Sequence, residues 1–528
     1  MEGSRTENIE PQVSLLIPTY NRRQYLPIAL ASAVDQNYSN LEIIVIRDGG
    51  EDVSDVVNSF EDERIIFINR EENRGIPFTL NEGLRRAGGK YICYLGDDDL
   101  LYPNHVSTLS KALESHRDCG VAYSDLYRVS CSIEHDRSRK ILSKVVDVSR
   151  DFDRFVMLYF NHTLHVSLMH RRDLIEKTGF YNEAINVLVD WDLTRRMAFF
   201  TDFYHVHEIT GEYYAPVGDC DRVSIQKRKD KKKYLKNAMT IRTTRPAKPW
   251  PKVMDVSIIL STDCLNEDVG KTLGSIWAST FYPYEVYLPL LASEISMLNT
   301  EMPGVISVAV DGQNSMAQRI DAALSQCGGD MVAIVPSGFA IKEFWLEDSL
   351  FALINSSAER GGFELEGSTA ERWAVVVRKE DLISARENFA DLSLRESLQA
   401  AGIKIRRVRP EELPFQFDQL LSQAKSAGNC GDYSKAGEML EYIAENYQNR
   451  FYIYAKAAEA FYKAGKYEKA GEISGRINME MPTVDTLLVE GKAARERKDF
   501  NSAIKALKHA EQILEGTNCY GHYTRQYC

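Results

Sequence analysis

The 528-residue sequence contains no run of about 18 apolar residues, so no membrane-spanning helix is expected. It also contains no CxxC pair. Its nine cysteines, at positions 93, 119, 131, 220, 264, 327, 430, 519 and 528, are scattered. That spacing predicts neither a cysteine-held zinc nor a disulfide framework, and it fits a reduced, cytoplasmic setting. A basic excess is missing too: 64 Lys and Arg stand against 76 Asp and Glu, a formal net charge of -12. Nucleic acid is therefore not an expected partner, because phosphate recognition needs a basic face. The opening MEGSRTENIEPQ has no basic start, no apolar core and no cleavage signal, so it is not read as a secretory peptide. What is present is an ordinary globular composition, 44% hydrophobic and 27% charged. The length allows about three domains, each able to bury a core of its own.

The first segment alternates strand-like and helix-like stretches. VSLLIP (13–18), LEIIVI (41–46), RIIFIN (64–69) and KYICYL (90–95) are buried-strand candidates, with helical spacing at 24–36 and a breaker at Asp48-Gly49-Gly50. Such alternation predicts an α/β, Rossmann-like domain: a mostly parallel sheet with helices on both faces and ligands at the carboxyl ends of its strands. The basic run KRKDKKK (227–233) and the proline-rich RPAKPWP (245–251) predict a linker, so the first domain spans 1–225 and the linker 226–254.

Residues 255–410 repeat the opening pattern. VSIILST (256–262) echoes VSLLIPT (13–19), and Gly328-Gly329-Asp330 followed by MVAIVPSG echoes Gly88-Gly89-Lys90 followed by YICYLGDD. In the copy, Gly96-Asp97-Asp98-Asp99 becomes Pro336-Ser337-Gly338-Phe339, with no carboxylate, although Asp391 could align with Asp190. A non-catalytic duplicate is expected. Residues 411–528 read as helices with a repeat: Tyr433, Tyr467 and Phe500 recur at spacings of 34 and 33 residues, each followed three residues on by alanine. This period resembles tetratricopeptide repeats, about three helix pairs whose concave face commonly binds another protein. Capping the preceding domain, or dimerisation, is the plainer use of such helices.

The chemistry concentrates in YLGDDDLLYP (94–103). Three successive acids repel one another unless a cation or ligand balances them. Hard divalent cations prefer such oxygen ligands. Alternatively, Asp99 simply caps a helix starting near Pro103. Around these acids the chain resembles glycosyltransferase family 2, of the GT-A fold, through VSLLIPTYNRRQYLPIALASAVDQNY, EIIVIRDGGEDVSDVV, NREENRGIPFTLNEGLRRAGGKYICYLGDDD and LHVSLMHRRDLIEKTGFYNEAINVLVDWDLTRRMA.

The resemblance implies an inverting sugar transferase that uses a nucleotide-sugar donor and Mg or Mn. It implies that Thr19 and Tyr20 line the base, that Asp48 hydrogen-bonds the base edge, and that Arg74 faces base or phosphates. Asp97, Asp98 and Asp99 would hold ribose and metal, with Asp99 and Asp97 as metal ligands. Arg47 stands where the family usually has an acid, as does Gly96. Tyr214-Ala215-Pro216-Val217 lacks the family's late arginine and histidine. Asp190, in Val189-Asp190-Trp191-Asp192, aligns with the catalytic base, and Asp192 is expected to cap the following helix; the reverse assignment stays open.

His162, His165 and His170 fall on one predicted strand, but their spacing does not bring all three to one face, so they read as polar or core residues. Arg171 and Arg172 could contact the donor or face solvent. The acceptor is expected to be a protein, such as a flagellar or surface protein. A surface polysaccharide or lipid-linked glycan is the alternative, and a non-catalytic protein-binding scaffold is the competing class.

Overall fold

The computed structural model describes residues 12–515 apart from 136, 147–148, 218–230, 298–303, 313, 356–360, 366, 370–371, 390–391, 409–415 and 448–449. Asp391 therefore lies outside the described residues. The chain divides into two compact units, residues 1–246 with 417–528, and residues 247–416.

In the first unit nine strands form one sheet: β1 (Val13–Thr19), β2 (Leu41–Asp48), β3 (Ile65–Arg70), β4 (Tyr91–Tyr94), β5 (Leu100–Leu101), β6 (Cys119–Ile133), β7 (Arg139–Val146), β8 (Leu168–Arg171) and β9 (Asp202–Pro216). Their order is β3-β2-β1-β4-β8-β6-β9-β5, with β7 paired to β6. The first four run parallel, and β8 is antiparallel to β4. Seven helices pack around the sheet: α1 (Leu26–Val34), α2 (Ser54–Asn58), α3 (Ile76–Arg86), α4 (His105–Ser115), α5 (Arg154–Tyr159), α6 (Leu174–Thr178) and α7 (Val189–Met197).

Successive side chains of a strand point to opposite faces. Leu15, Ile17, Ile43 and Val45 enter one core with Leu30 of α1 and Leu109 and Leu113 of α4. Leu16, Ile44 and Ile46 enter the other with Leu80 and Leu84 of α3 and Trp191 and Met197 of α7. Burial on both faces is why these strands read as unbroken apolar runs. The chain leaves β1 toward β2 on one side and β4 on the other, so a crevice opens at the carboxyl ends of β1 and β4.

The stretch read as a linker is partly folded. Residues 231–243 form helix α8 (Lys231–Thr243), and its Ile241 is fully buried in the first unit. Arg195, 1% exposed, donates to the carbonyls of Arg242 and Thr244 at 2.7 Å each. Those carbonyls have no partners inside the helix, and the guanidinium supplies them. Of the basic run, 227–230 lie outside the described residues, and the helix is recognised by its buried Ile241 and Asn237.

Residues 247–416 build a seven-stranded sheet, β10 (Val256–Ser261), β11 (Glu285–Leu291), β12 (Val305–Val310), β13 (Met331–Pro336), β14 (Gly361–Glu364), β15 (Val375–Arg378) and β16 (Lys404–Arg407), in the order β12-β11-β10-β13-β15-β14-β16. Four parallel strands followed by an antiparallel fifth repeat the opening of the first sheet. Local contacts recur as well. Gly89 N donates to Ser14 Oγ at 2.9 Å and Gly329 N to Ser257 Oγ at 3.0 Å. A Cβ at either glycine would lie 2.7 Å from the backbone nitrogen of its serine, so the repeated glycine is required by close approach.

Six helices follow among the described residues, Gln416–Asn429, Tyr433–Asn446, Arg450–Lys463, Tyr467–Glu480, Val484–Glu496 and Phe500–Glu515. The turns before the three repeated aromatics each hold one left-handed residue: Gly431 (φ +84), Gly465 (φ +76) and Lys498 (φ +64). A Cβ on Gly437 would lie 2.8 Å from the Phe461 ring, so the small residue sets how closely two helices pack. This region is seated on the first domain. Arg150 donates to Asp418 at 2.8 Å, and Ile513 packs on a cluster that includes Tyr127, Val129 and Val146 of the β6–β7 hairpin.

Candidate active site

A cavity of about 530 Å³ opens at the carboxyl ends of β1 and β4. Thr19, Tyr20, Arg22, Asp48, Gly96, Asp97, Asp98, His165 and the segment 186–190, which includes Asp190, line it. Tyr20 and Asp190, 170 positions apart in sequence, thus line one cavity, with β4 ending beside β1.

The acids are not equivalent. Asp97 is buried; its carboxylate accepts from Tyr20 N at 3.3 Å and from Arg22 Nη1 at 3.4 Å. Burial pushes its pKa up to about 7, despite the opposing pull of Arg22. Asp98 also pairs with Arg22, and its carbonyl accepts from Arg139 Nη1 at 2.8 Å. Asp99 is not among the cavity-lining residues. Its Oδ1 accepts from Tyr214 N at 3.0 Å, tying the acidic turn to β9. The Asp99 N–H closes the turn onto Gly96 O at 3.1 Å. A Cβ at Gly96 would lie 2.7 Å from Asp99 Oδ2 and 3.2 Å from Asp98 Oδ1, so a side chain there would have to displace those carboxylates.

Oxygen donors on one wall suit a hard divalent cation. The Arg22 guanidinium, paired with both Asp97 and Asp98, marks the place where positive charge is needed. Asp97 and Asp98 therefore fit a cation as ligands.

A glycosyl transferase family 2 model matches residues 14–174, which span β1, the acidic turn and the wall carrying His165. The amino-terminal segment is a glycosyl transferase family 2 domain. An uncharacterized glycosyltransferase of Rickettsia prowazekii is 29% identical over 206 residues, 38% of this chain and 62% of the relative. A PGL/p-HBAD biosynthesis glycosyltransferase of Mycobacterium bovis is 26% identical over 262 residues, 48% of this chain and 96% of the relative. The chain thus spans under two thirds of the rickettsial relative's length. Among solved structures, S. aureus TarS residues 1–349 aligns at TM-score 0.32 with 14% identity, over 44% of this chain and 65% of that one. The mannosyltransferase PcManGT from Pyrobaculum calidifontis, solved with GDP-Man and Mn2+, aligns at TM-score 0.33 with 17% identity, over 46% and 67%.

Beyond the matched residues, Asp190 sits in the first turn of α7, and Asn161 Nδ2 donates to its Oδ2 at 2.8 Å. The residue preceding the helix, Leu188, holds a left-handed conformation (φ +63) at the cavity wall. Such backbone costs on the order of 1–3 kcal/mol and concentrates at functional sites. Asp192 instead turns inward: its Oδ2 accepts from Arg196 Nε and Nη2 at 3.1 and 2.6 Å, and it is 1% exposed. It is a buried ion-pair partner rather than a helix cap.

Asp48 lines the cavity, but its carboxylate is largely engaged in structure. It accepts from Arg74 N at 2.8 Å and Gly75 N at 2.9 Å, and it pairs with Arg70. The Arg74 side chain is not in the cavity lining; its guanidinium lies 3.5 Å over the Phe78 ring. Arg47, in place of the family's acid, clamps the same turn through Asn69 Oδ1 at 2.8 Å and Glu51 O at 3.1 Å.

The histidine segment is not a continuous strand. A 3-10 turn at His165–Ser167 precedes β8. His165 Nε2 lies 2.8 Å from Tyr181 Oη and His170 Nε2 2.7 Å from Tyr94 Oη, and burial lowers both histidines to about pKa 4. Arg171 and Arg172 donate to the carbonyls of Cys119 and Ala87, away from the cavity.

Arg22, Asn161 and Arg139 were not legible as site residues. Arg22 lies in the quoted TYNRR motif, and its nearness to the acid cluster became visible only once β1 and β4 were adjacent.

Proposed function

We propose that the amino-terminal domain transfers a sugar from a nucleotide-sugar donor to an acceptor hydroxyl with inversion at the anomeric carbon. The observation that carries this reading is the shared cavity wall, which sets Asp97 and Asp98 on the strand side and Asp190 on the helix side. Asp190, oriented by Asn161, takes the proton of the acceptor hydroxyl as its oxygen attacks. Thr19 and the half-exposed Tyr20 offer a wall to the base, and Asp48 holds the 73–75 loop that completes it. Asp97 and Asp98 would hold Mg or Mn, which when bound neutralises the diphosphate leaving group.

Two features support a catalytic rather than a scaffold role. The acids persist in the first cavity, and Leu188 keeps a strained backbone beside Asp190. In the duplicate, the loop after β13 is filled differently: Arg372 Nη1 donates to Gly338 O at 2.9 Å where the first domain has acids. We read the duplicate as inactive and the helical repeats as the surface that presents a protein acceptor. A glycan acceptor is the alternative to be tested. In the experiment, UDP-, GDP-, CDP- and dTDP-sugars are offered with Mn2+ and donor hydrolysis is followed. One donor is expected to turn over, and turnover is expected to vanish in Asp190→Asn while nucleotide binding remains. Absence of turnover and of nucleotide binding with every donor would overturn the reading.

A further inference from the structure

We propose that Asp151, His205 and His207 form a divalent-metal site, of zinc-like ligand chemistry, separate from the glycosyltransferase cavity. None of the three lines that cavity. His205 and His207 lie two residues apart on β9, so strand alternation sends both rings to one side. Asp151 Oδ1 lies 2.8 Å from His205 Nδ1 and 2.9 Å from His207 Nε2. Asp151 Oδ1 thus touches one nitrogen of each histidine, and Asp125, His205 and His207 each offer a further ligand atom within 4.8 Å of one another, all of types that zinc accepts. Zinc bonds of about 2.0–2.1 Å set neighbouring ligand atoms a little over 3 Å apart, so each of the two Asp151–histidine contacts has only to lengthen by a few tenths of an ångström on binding.

The surroundings are those of a built site. The second nitrogen of His205, Nε2, lies 2.9 Å from Asp125 Oδ1, and Asp125 is 1% exposed. Asp125 Oδ2 in turn accepts from Ser149 Oγ at 3.1 Å. This is a carboxylate–histidine arrangement that fixes the tautomer and aim of a metal-ligating ring. The Tyr123 ring stacks on His205 at 4.7 Å and 4°, which locks the imidazole plane. The opposite side is open: the His207 side chain is 47% exposed and that of Asp151 28%, leaving access for the ion and a water as fourth ligand. The metal-free alternative is an imidazolium at His205 bridging Asp125 and Asp151, with His207 a second partner of Asp151.

The site has a mechanical consequence. Asp151 follows Arg150, whose guanidinium pairs with Asp418 and lies 4.8 Å over the Phe417 ring. An ion joining Asp151 to β9 therefore stiffens the loop that seats the first C-terminal helix on the amino-terminal domain.

The test uses the full chain, stripped with EDTA and titrated with Zn2+ and Co2+. Wild type is expected to bind one equivalent that survives in Asp98→Asn, to show the visible bands of four-coordinate Co2+, and to melt higher with Zn2+. His207→Ala changes an exposed side chain; it is expected to weaken Co2+ binding at least about tenfold and to abolish the bands. His207→Cys, which keeps a zinc-competent ligand, is expected to restore binding. If no equivalent binds, or if binding is unchanged in His207→Ala, the cluster is a proton-bridged pair of carboxylates only and the proposal fails.

Discussion

Arg22 gives a quantitative test of the acidic wall. In the wild type its guanidinium allows Asp97 to ionise with a pKa of about 7 although the carboxyl is buried. Arg22→Ala removes the counter-charge. At 3.4 Å and an effective dielectric of 20 the lost attraction is about 5 kcal/mol, far more than the fold can absorb. Asp97 escapes that penalty by staying protonated. At Asp97 the variant then loses the free energy the wild type gains by ionising, which is small near pH 7 and grows by roughly 1 kcal/mol or a little more for each pH unit above it. The sign follows from the raised folded pKa. In the wild type the ionised, buried form costs stability relative to an unfolded carboxyl, and without Arg22 that cost grows as pH rises above about 7. Thermal melts at pH 6.5, 8 and 9 should therefore show a gap between wild type and Arg22→Ala that widens with pH. Millimolar Mn2+ should close the gap at pH 8 by binding the vacated carboxylates, since a ligand that binds only the folded state raises its stability. A gap independent of pH, or one that Mn2+ leaves unchanged, would refute both the pairing and the ligand assignment.

Four further outcomes are expected. Asn161→Ala should lower kcat by roughly 10–100-fold with little change in donor affinity, because a general base contributes about 10²–10⁴-fold and Asn161 only aims it; steady-state kinetics on the active donor decide this. Lys144 and Glu212 form a fully buried ion pair at 2.9 Å, so Lys144→Met should cost about 3–5 kcal/mol in denaturant unfolding, with Glu212 left uncompensated. Glu347 of the second unit is fully buried and raised from 4.5 to about 7 by burial, so folded-state stability should fall by about 3 kcal/mol as pH rises from 4.5 through 7. The same titration in Glu347→Gln should be flatter. Lys498→Gly should raise the melting temperature of the repeat region, since the left-handed backbone at φ +64 costs a lysine about 1 kcal/mol that glycine avoids.

Much was legible in the residues themselves. The unbroken apolar runs at 13–18 and 41–46 announced a sheet covered on both faces, because a strand buried on one face only would alternate. The echo of VSLLIPT in VSIILST, and of Gly88-Gly89 in Gly328-Gly329, announced a duplicated sheet because a serine and a glycine meet in the same close approach in both. The spacing of Tyr433, Tyr467 and Phe500 announced helical pairs because each aromatic opens a helix after a left-handed turn. These features are local or periodic, and sequence records them directly.

Other features depend on where the chain returns to itself. Whether Asp98 or Asp99 faces the cavity is decided by one backbone turn and by Tyr214, 115 residues away. Asp48 lines the cavity and also accepts from the 74–75 backbone, while Arg74 stacks on Phe78, contacts that only the folded loop brings about because a buried carboxylate takes the nearest donors. The basic run before residue 245 hid a docked helix, since the burial of Ile241 and Asn237 is decided by packing. The meeting of Asp151 with His205 and His207 has no trace in sequence spacing: 54 residues separate the aspartate from the first histidine, and only the packing of the 149–153 loop on β9 brings them together.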